Sequence, residues 1–521
     1  MILTWGLCCI PREECARAEC YTSNVDVLRS YGEASRSHSP LLRELQLASH
    51  HTSGIDDSVA AAFAAWSCQL RWSGLDDALR RAASDELLDF IGDSIAGRAA
   101  VGVPAWLDVF LEGTSTRAAT VAGGQQATPW TAAMANGYFG HVLELDDTHD
   151  IAVLHAGASA IPAALAAAEY RGGCDGAALL EGVIAGIELS CRLGVATDLS
   201  LVEGGWIYSA LLGHFGAALA AAHVLGLDEP QTRHALGIAY CFTCGNHQSS
   251  REGAPTKHLQ PGIAAGNGLK AALMAQQGLT GVSAPFLGED GFARTYLHGR
   301  FDPARAVRDL GREFETAHLS IKPYPSCRLT HPAVSAALDL RAKLGERLLQ
   351  VEAVSIRMGR QAHDVVGRAV PFRLQPTRWL DAQFSVFWTV AVALCHGSVT
   401  PKHLLEEVPP SHAVTSWIAR LRAEPLADSA LRDVGACVLE ASGPFGRVQV
   451  EATEAKGHPD NPLSAAELQQ KFCANMALAG IDAADALEVA QSLLALGDSP
   501  DLRCVLRALA RPQARRPIKE S

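Results

Sequence analysis

The stretch ALLGHFGAALAAAHVLGL, residues 210–227, is the most apolar in the chain, yet it carries His214, His223 and three glycines. Imidazoles and bare backbone suit a helix packed among other helices better than one facing lipid, so the stretch reads as a buried helix. The same texture repeats on both sides. Segments 84–96, 129–143, 159–170, 176–193, 210–225 and 229–244 carry the 3.6-residue period of helices, and 264–277 continues the series. Hydrophobic residues make up 48 % of the chain and aromatics only 6 %, so Ala and Leu supply most of the core, as in closely packed helices.

Beyond Phe314 the texture changes. The Pro-rich KPYPSC (322–327) leads into a helical run, and alternation over 351–358 and 447–453 predicts strands on either side of an apolar helical run, 383–394. Near Pro462 helices return, with Ser464 and Glu467 spaced as a capping box before 465–476. At 521 residues the chain exceeds what one core usually holds. The order predicts a mainly α protein: a large all-helical domain made of two chain segments, 55–317 and 456–510, with a smaller α+β lid domain, 318–455, inserted between them. Residues 1–54 show neither period and are expected to be a poorly ordered extension, and 511–521 a tail. A small-molecule cleft is expected where the helical domain and the lid meet.

The formal net charge of -12 argues against nucleic acid or an anionic membrane as partner. Fourteen cysteines without framework spacing, and an opening MILTWGLCCI without a basic n-region, predict reduced thiols in a cytoplasmic protein. Cys241 and Cys244 form a CxxC inside a helical pattern and read as core residues; no segment has metal-site spacing, so no metal is expected.

Three segments concentrate chemistry. ELDDTHDIAVLHAGA (144–158) gathers Asp146, Asp147, Thr148, His149 and His155 between two helices, where carboxylate and imidazole can serve as base and acid near neutral pH. A helix cap would use the same Asp and Thr types. No lysine precedes Lys257, which sits in APTKHLQPG ahead of a small-residue helix and can offer its ammonium to a carboxylate. KPYPSCRLTHP (322–332) brings Lys322, Tyr324, Cys327, Arg328 and His331 to the expected hinge. No GxGxxG, Walker A or GxSxG pattern appears.

Taken together, ELLDFIGDSIAG, ANGYFGHVLELDDTHD, HAGASAIPAALAAAE, TKHLQPGIAAGNGLKAALMAQQGLTG, KPYPSCRLTHPAVSAALDL, DAQFSVFWTVAVAL and KGHPDNPLS resemble, in this order, the MmgE/PrpD family over roughly residues 60–510. That family contains 2-methylcitrate dehydratase, cis-aconitate decarboxylase and iminodisuccinate epimerase. The resemblance implies a helical domain with an inserted lid, a homodimer, a small polycarboxylate substrate and no cofactor. It implies Asp146, Thr148, His155, Lys257 and Lys322 as catalytic residues, with Asp147, Tyr208, His258, Tyr324, Arg328 and His331 expected to bind substrate. Where decarboxylase- and epimerase-like members read Gly-Trp-His, this chain reads Gly205, Trp206, Ile207, and Tyr208 or His214 is a candidate to compensate. The expected activity is that of a lyase abstracting a proton α to a carboxylate, with the lysines stabilising enediolate-like charge. Dehydration of the 2-methylcitrate dehydratase kind is the leading expectation. The alternatives are decarboxylation, epimerisation, and a relative that has lost catalysis and only binds a carboxylate.

Overall fold

The computed structural model describes residues 57–111, 117–426 and 435–511. The expectations for 1–54 and for most of the 511–521 tail lie outside them. Eight helices build the body around the site: α1 (Asp77–Val101), α2 (Pro129–His141), α3 (Gly157–Arg171), α4 (Gly176–Val195), α5 (Gly213–Leu225), α6 (Glu229–Phe242), α7 (Thr256–Gln276) and, late in the chain, α10 (Ala465–Leu478). Between α7 and α10 come α8 (His331–Leu344), α9 (Val386–His396) and a four-stranded sheet.

The stretch at 210–227 is a broken helix: a turn at Tyr208–Leu211, a step at Leu212, then α5. One segment among the described residues is long and apolar enough to cross a membrane, Tyr208–Leu225, and 94 % of it is buried inside the protein. Small residues let its neighbours approach that closely. A Cβ on Gly262 of α7 would lie 2.3 Å from the Met134 carbonyl oxygen of α2, and one on Gly137 of α2 would lie 2.8 Å from the Gly262 Cα. Gly262→Ala is therefore expected to push α2 and α7 apart and destabilise by about 1–3 kcal/mol, since overpacking a tight contact costs that order. A melting curve unchanged from the parent's would contradict this contact.

α10 returns to pack on α1. Lys471 lies 2.6 Å from Asp89 and 3.5 Å from Asp93, and also donates to the Leu145 carbonyl at 2.9 Å. Asn475 donates to Asp93 at 2.7 Å. The capping box at its start is as the sequence predicts, with Ser464 accepting from Glu467 N–H and the Glu467 carboxylate accepting in return.

In the sheet, β3 (Ala353–Met358) is flanked by β4 (Leu421–Pro425) and β5 (Cys437–Gly443), and β6 (Gly446–Ala452) pairs with β5. β3 and β4 are parallel, Ile356 opposite Ala423, and the other pairings are antiparallel, Ile356 opposite Leu439 and Leu439 opposite Val450. Val354, Ile356 and Met358 alternate inward and are buried, the period that marks β3 in the sequence. A two-residue pairing joins β1 (Thr148–His149) to β2 (Leu319–Ser320) and clips the chain after α2 to the segment that leads into KPYPSC.

Candidate active site

The chain leaves α2 at His141 and turns through Glu144, whose φ of 54° is uncommon for a residue with a side chain. Glu144 and Asp146, two apart, both reach a buried cluster of cations. Glu144 is bonded by Lys257 Nζ and lies 3.5 Å from Lys322 Nζ; Asp146 lies 3.6 Å from Lys322 and 2.7 Å from His141 Nδ1. Lys257 Nζ in turn approaches His141 Nε2 at 2.8 Å. An ammonium can only donate, so His141 accepts at Nε2 and donates from Nδ1 to Asp146, which makes it a neutral relay. For both carboxylates burial, taken alone, would raise the pKa. For Glu144 the ammoniums of Lys257 and Lys322 outweigh it and hold the group well below the usual range. For Asp146 the hydrogen bond donated by His141 Nδ1 and the Lys322 ammonium oppose burial and hold the group low.

Lys257 lies in the first turn of α7 rather than in a loop ahead of it, because the helix begins at Thr256 and runs through Pro261. A cation at a helix N-terminus opposes the dipole, and Glu144 offsets it. Lys257, 5 % exposed, and Lys322, fully buried, are thus not free pocket cations but members of an ion cluster.

His155 stands over this cluster. Its Nδ1 is 2.6 Å from the Asp147 carbonyl oxygen, 3.3 Å from Thr148 Oγ1 and 3.4 Å from Asp146. A carbonyl only accepts, so Nδ1 carries the proton and Nε2 is the basic nitrogen. Burial is the main cause that pushes the imidazole down to about 3, with Lys322 among the contributors and Asp146 opposing. His155 is neutral, and its backbone carbonyl partner rather than Asp146 sets its orientation.

A cleft of about 670 Å³, its mouth included, opens beside His155 and is lined by Glu144, Thr148, Lys257 and Arg328 together with Ile207 and Phe384. Thr148, His155, Lys257 and Arg328 thus reach it from the sequence reading. Arg328 is held by Asp150 at 2.8 and 2.9 Å and lies 3.0 Å from Ser320 Oγ. Asp146 and Lys322 lie beneath the lining.

The other expected binders face elsewhere. Asp147 accepts from Ala156 N–H at 2.9 Å and Gly157 N–H at 3.1 Å, anchoring the start of α3. Burial first, then Asp146, pushes its carboxyl up to about 7. Tyr208 donates to the Leu199 carbonyl, and His214 is tied through Nδ1 to the Ala210 carbonyl at 2.7 Å, so neither compensates for Ile207. His331 bonds the Ser326 carbonyl at 3.2 Å and meets Tyr324 edge to face, with ring centroids 5.1 Å apart. His258 sits behind Glu144 at 3.4 Å, pushed down to about 4 chiefly by burial. In each case the helical period gives a residue's angle but not which neighbour claims that angle. Cys241 and Cys244 are exposed at the end of α6, not core residues.

Sequence reading missed Glu144, His141, Asp150 and His247. Glu144 sits two residues ahead of the DDT run, at i, i+2 from Asp146, a spacing that was legible in ELD. His141, Asp146 and His155 place three potential ligand atoms within 4.8 Å of one another. They fit a metal poorly, because Nδ1 of each histidine already donates a proton and the Lys322 ammonium is 3.6 Å from Asp146.

The arrangement is one of buried ammoniums beside a neutral imidazole, suited to moving a proton next to an anion. The MmgE/PrpD N-terminal domain matches residues 61–304 and the MmgE/PrpD C-terminal domain residues 324–496, and the chain belongs to the MmgE/PrpD family. Among its relatives is a cis-aconitate decarboxylase of Aspergillus terreus, 34 % identical over 247 residues, 45 % of this chain and 50 % of that protein. A second, from strain NIH 2624, is 31 % identical over 323 residues, 58 % of this chain and 64 % of that protein. The chain therefore spans about half to two thirds of the length of these fungal relatives. The human cis-aconitate decarboxylase is 26 % identical over 403 residues, 74 % of this chain and 81 % of its own.

Proposed function

We propose that the chain is a lyase acting on a small di- or tricarboxylic acid, moving a proton at the carbon next to a carboxylate, with loss of carbon dioxide as the leading reaction. The observation that carries the reading is the basic Nε2 of His155, left to the cleft by the Nδ1 bond to Asp147 and set over an ion cluster of two lysines. When a carboxylate leaves as carbon dioxide, its bonding pair moves toward a neighbouring carboxylate, and ammoniums already in place stabilise that charge without reorganising. His155 carries the proton to or from carbon, Thr148 holds a substrate oxygen, and Asp146 works through His141 by fixing its tautomer.

Dehydration, the reading favoured by the sequence, would use the same groups. The relatives' names favour decarboxylation. Gln361 and Val365, which border the cleft from the segment after β3, support a lid that closes over the substrate. The free cysteines among the described residues agree with a cytoplasmic setting, and exposed Trp106, Val109 and Phe110 offer an apolar face for a homodimer. The test is to incubate the purified full chain with cis-aconitate, citrate and 2-methylcitrate in D2O and follow products by mass. Loss of carbon dioxide from cis-aconitate with one deuterium gained is expected. Loss of water from a hydroxy acid alone would replace this reading by the dehydratase one, and no product from any of them would leave a binding protein.

A further inference from the structure

Part of the cleft lining differs in chemistry from the ion cluster. His247 and Gln361, 8 % and 5 % exposed, line it together with Ser250 and Ile207. His247 Nδ1, Ser250 Oγ and Gln361 Oε1 are buried with no hydrogen-bond partner among the described residues. Three unpaired polar atoms among the residues lining one cavity are costly for a folded protein and ordinarily await a ligand. They are not idle packing. The backbone N–H of His247 donates to the Gly205 carbonyl at 2.8 Å, which holds this stretch of main chain beside the Gly205–Ile207 turn. Burial, with Arg251 and Lys257 adding, pushes the imidazole down to about 4, so it is neutral. The side-chain amide of Gln361 can present N–H or C=O by a half-turn. This part of the lining therefore offers neutral donors beside hydrocarbon.

We propose that His247, Ser250 and Gln361, together with Ile207, form the subsite for the carboxylate that departs as carbon dioxide, while Lys257 at the lining, backed by Lys322 beneath it, faces a carboxylate that is retained. This rests on the decarboxylase reading above. A carboxylate that must lose its charge is best held by neutral hydrogen bonds and apolar surface, because a cation there would stabilise the ground state more than the transition state. In the step, the C–C bond to the departing carboxylate breaks and its pair forms a new C=C. The former C=C pair takes a proton at the carbon α to the retained carboxylate. His155 delivers that proton, drawn from solvent as the anion binds. One carboxylate and one proton are exchanged for one C–H bond and one carbon dioxide.

The experiment compares cis-aconitate with methylmaleate, in which a methyl replaces the carboxymethyl arm, by calorimetry in a His155→Gln background that spares the ligand. His247→Phe, Ser250→Ala and Gln361→Leu are each expected to weaken cis-aconitate by about 10- to 100-fold and to leave methylmaleate within about twofold. Without ligand their melting temperatures should not fall, since each removes a polar atom that has no partner. Gln361→Lys, made with His155 intact, should bind cis-aconitate more tightly and release carbon dioxide more slowly. Equal weakening of both acids, or faster release by Gln361→Lys, overturns the subsite and leaves the lyase reading standing. Binding of neither acid by the parent overturns the lyase reading, and the subsite's ligand with it.

Discussion

His155→Gln is expected to lower turnover by about 10²–10⁴-fold, the range typical of a general acid–base group, while the protein still folds. Glutamine keeps a donor that can reach the Asp147 carbonyl, now accepting from Nδ1 at 2.6 Å, so the side chain's place is held. What is lost is the basic nitrogen over the cleft. The imidazole side chain is only 15 % exposed, so its removal disturbs little surface. Steady-state rates and a melting curve on the same preparation check both halves. Normal turnover would mean that the proton moves through another group, with Lys257 next in position.

The largest effect on stability is expected from Glu144→Gln. Glu144 is 1 % exposed and meets Lys257, Lys322, His141 and His258 at once. The amide has nearly the same volume, so the change removes charge rather than packing, and two buried ammoniums lose their common partner. Breaking a buried pair on one side typically costs about 3–5 kcal/mol, because the remaining charge is still desolvated. Denaturant unfolding of Glu144→Gln, Lys257→Met and the double variant checks the cause. If charge pairing is responsible, the double variant is less destabilised than the sum of the singles. Strict additivity would show that Glu144 acts by shape alone. The same reasoning alters what Lys257→Met should do. A free pocket lysine could be replaced with little effect on folding, but this one cannot, since Glu144 would be left with Lys322 at 3.5 Å as its remaining ammonium partner.

The helices around residues 210–227 were legible because each carries its own signal: a 3.6-residue period, a capping residue such as Ser464, or a glycine at a crossing. These depend on neighbours three or four positions away. β4 and β5 were not read, since β4 is short and β3 meets its partners only across some 65 to 85 residues of chain, as Ile356 does Ala423 and Leu439. Thr148, His155, Lys257 and Arg328 could be placed at the cleft because family motifs keep chemistry together in the chain.

Composition, order and motif thus determined by themselves that this protein is mainly helical and belongs to the MmgE/PrpD family, and they pointed to the histidine- and lysine-bearing segments that the fold brings together. Only the tertiary structure decided which polar side chains face the cleft. Tyr208, His214 and His331 are each claimed by a backbone carbonyl, Asp147 by the first N–H groups of α3, and Glu144 by two lysines from segments 113 and 178 residues away. The physical reason is that a buried polar group takes whichever partner saves it from desolvation, and that partner is fixed by packing rather than by its neighbours in the chain.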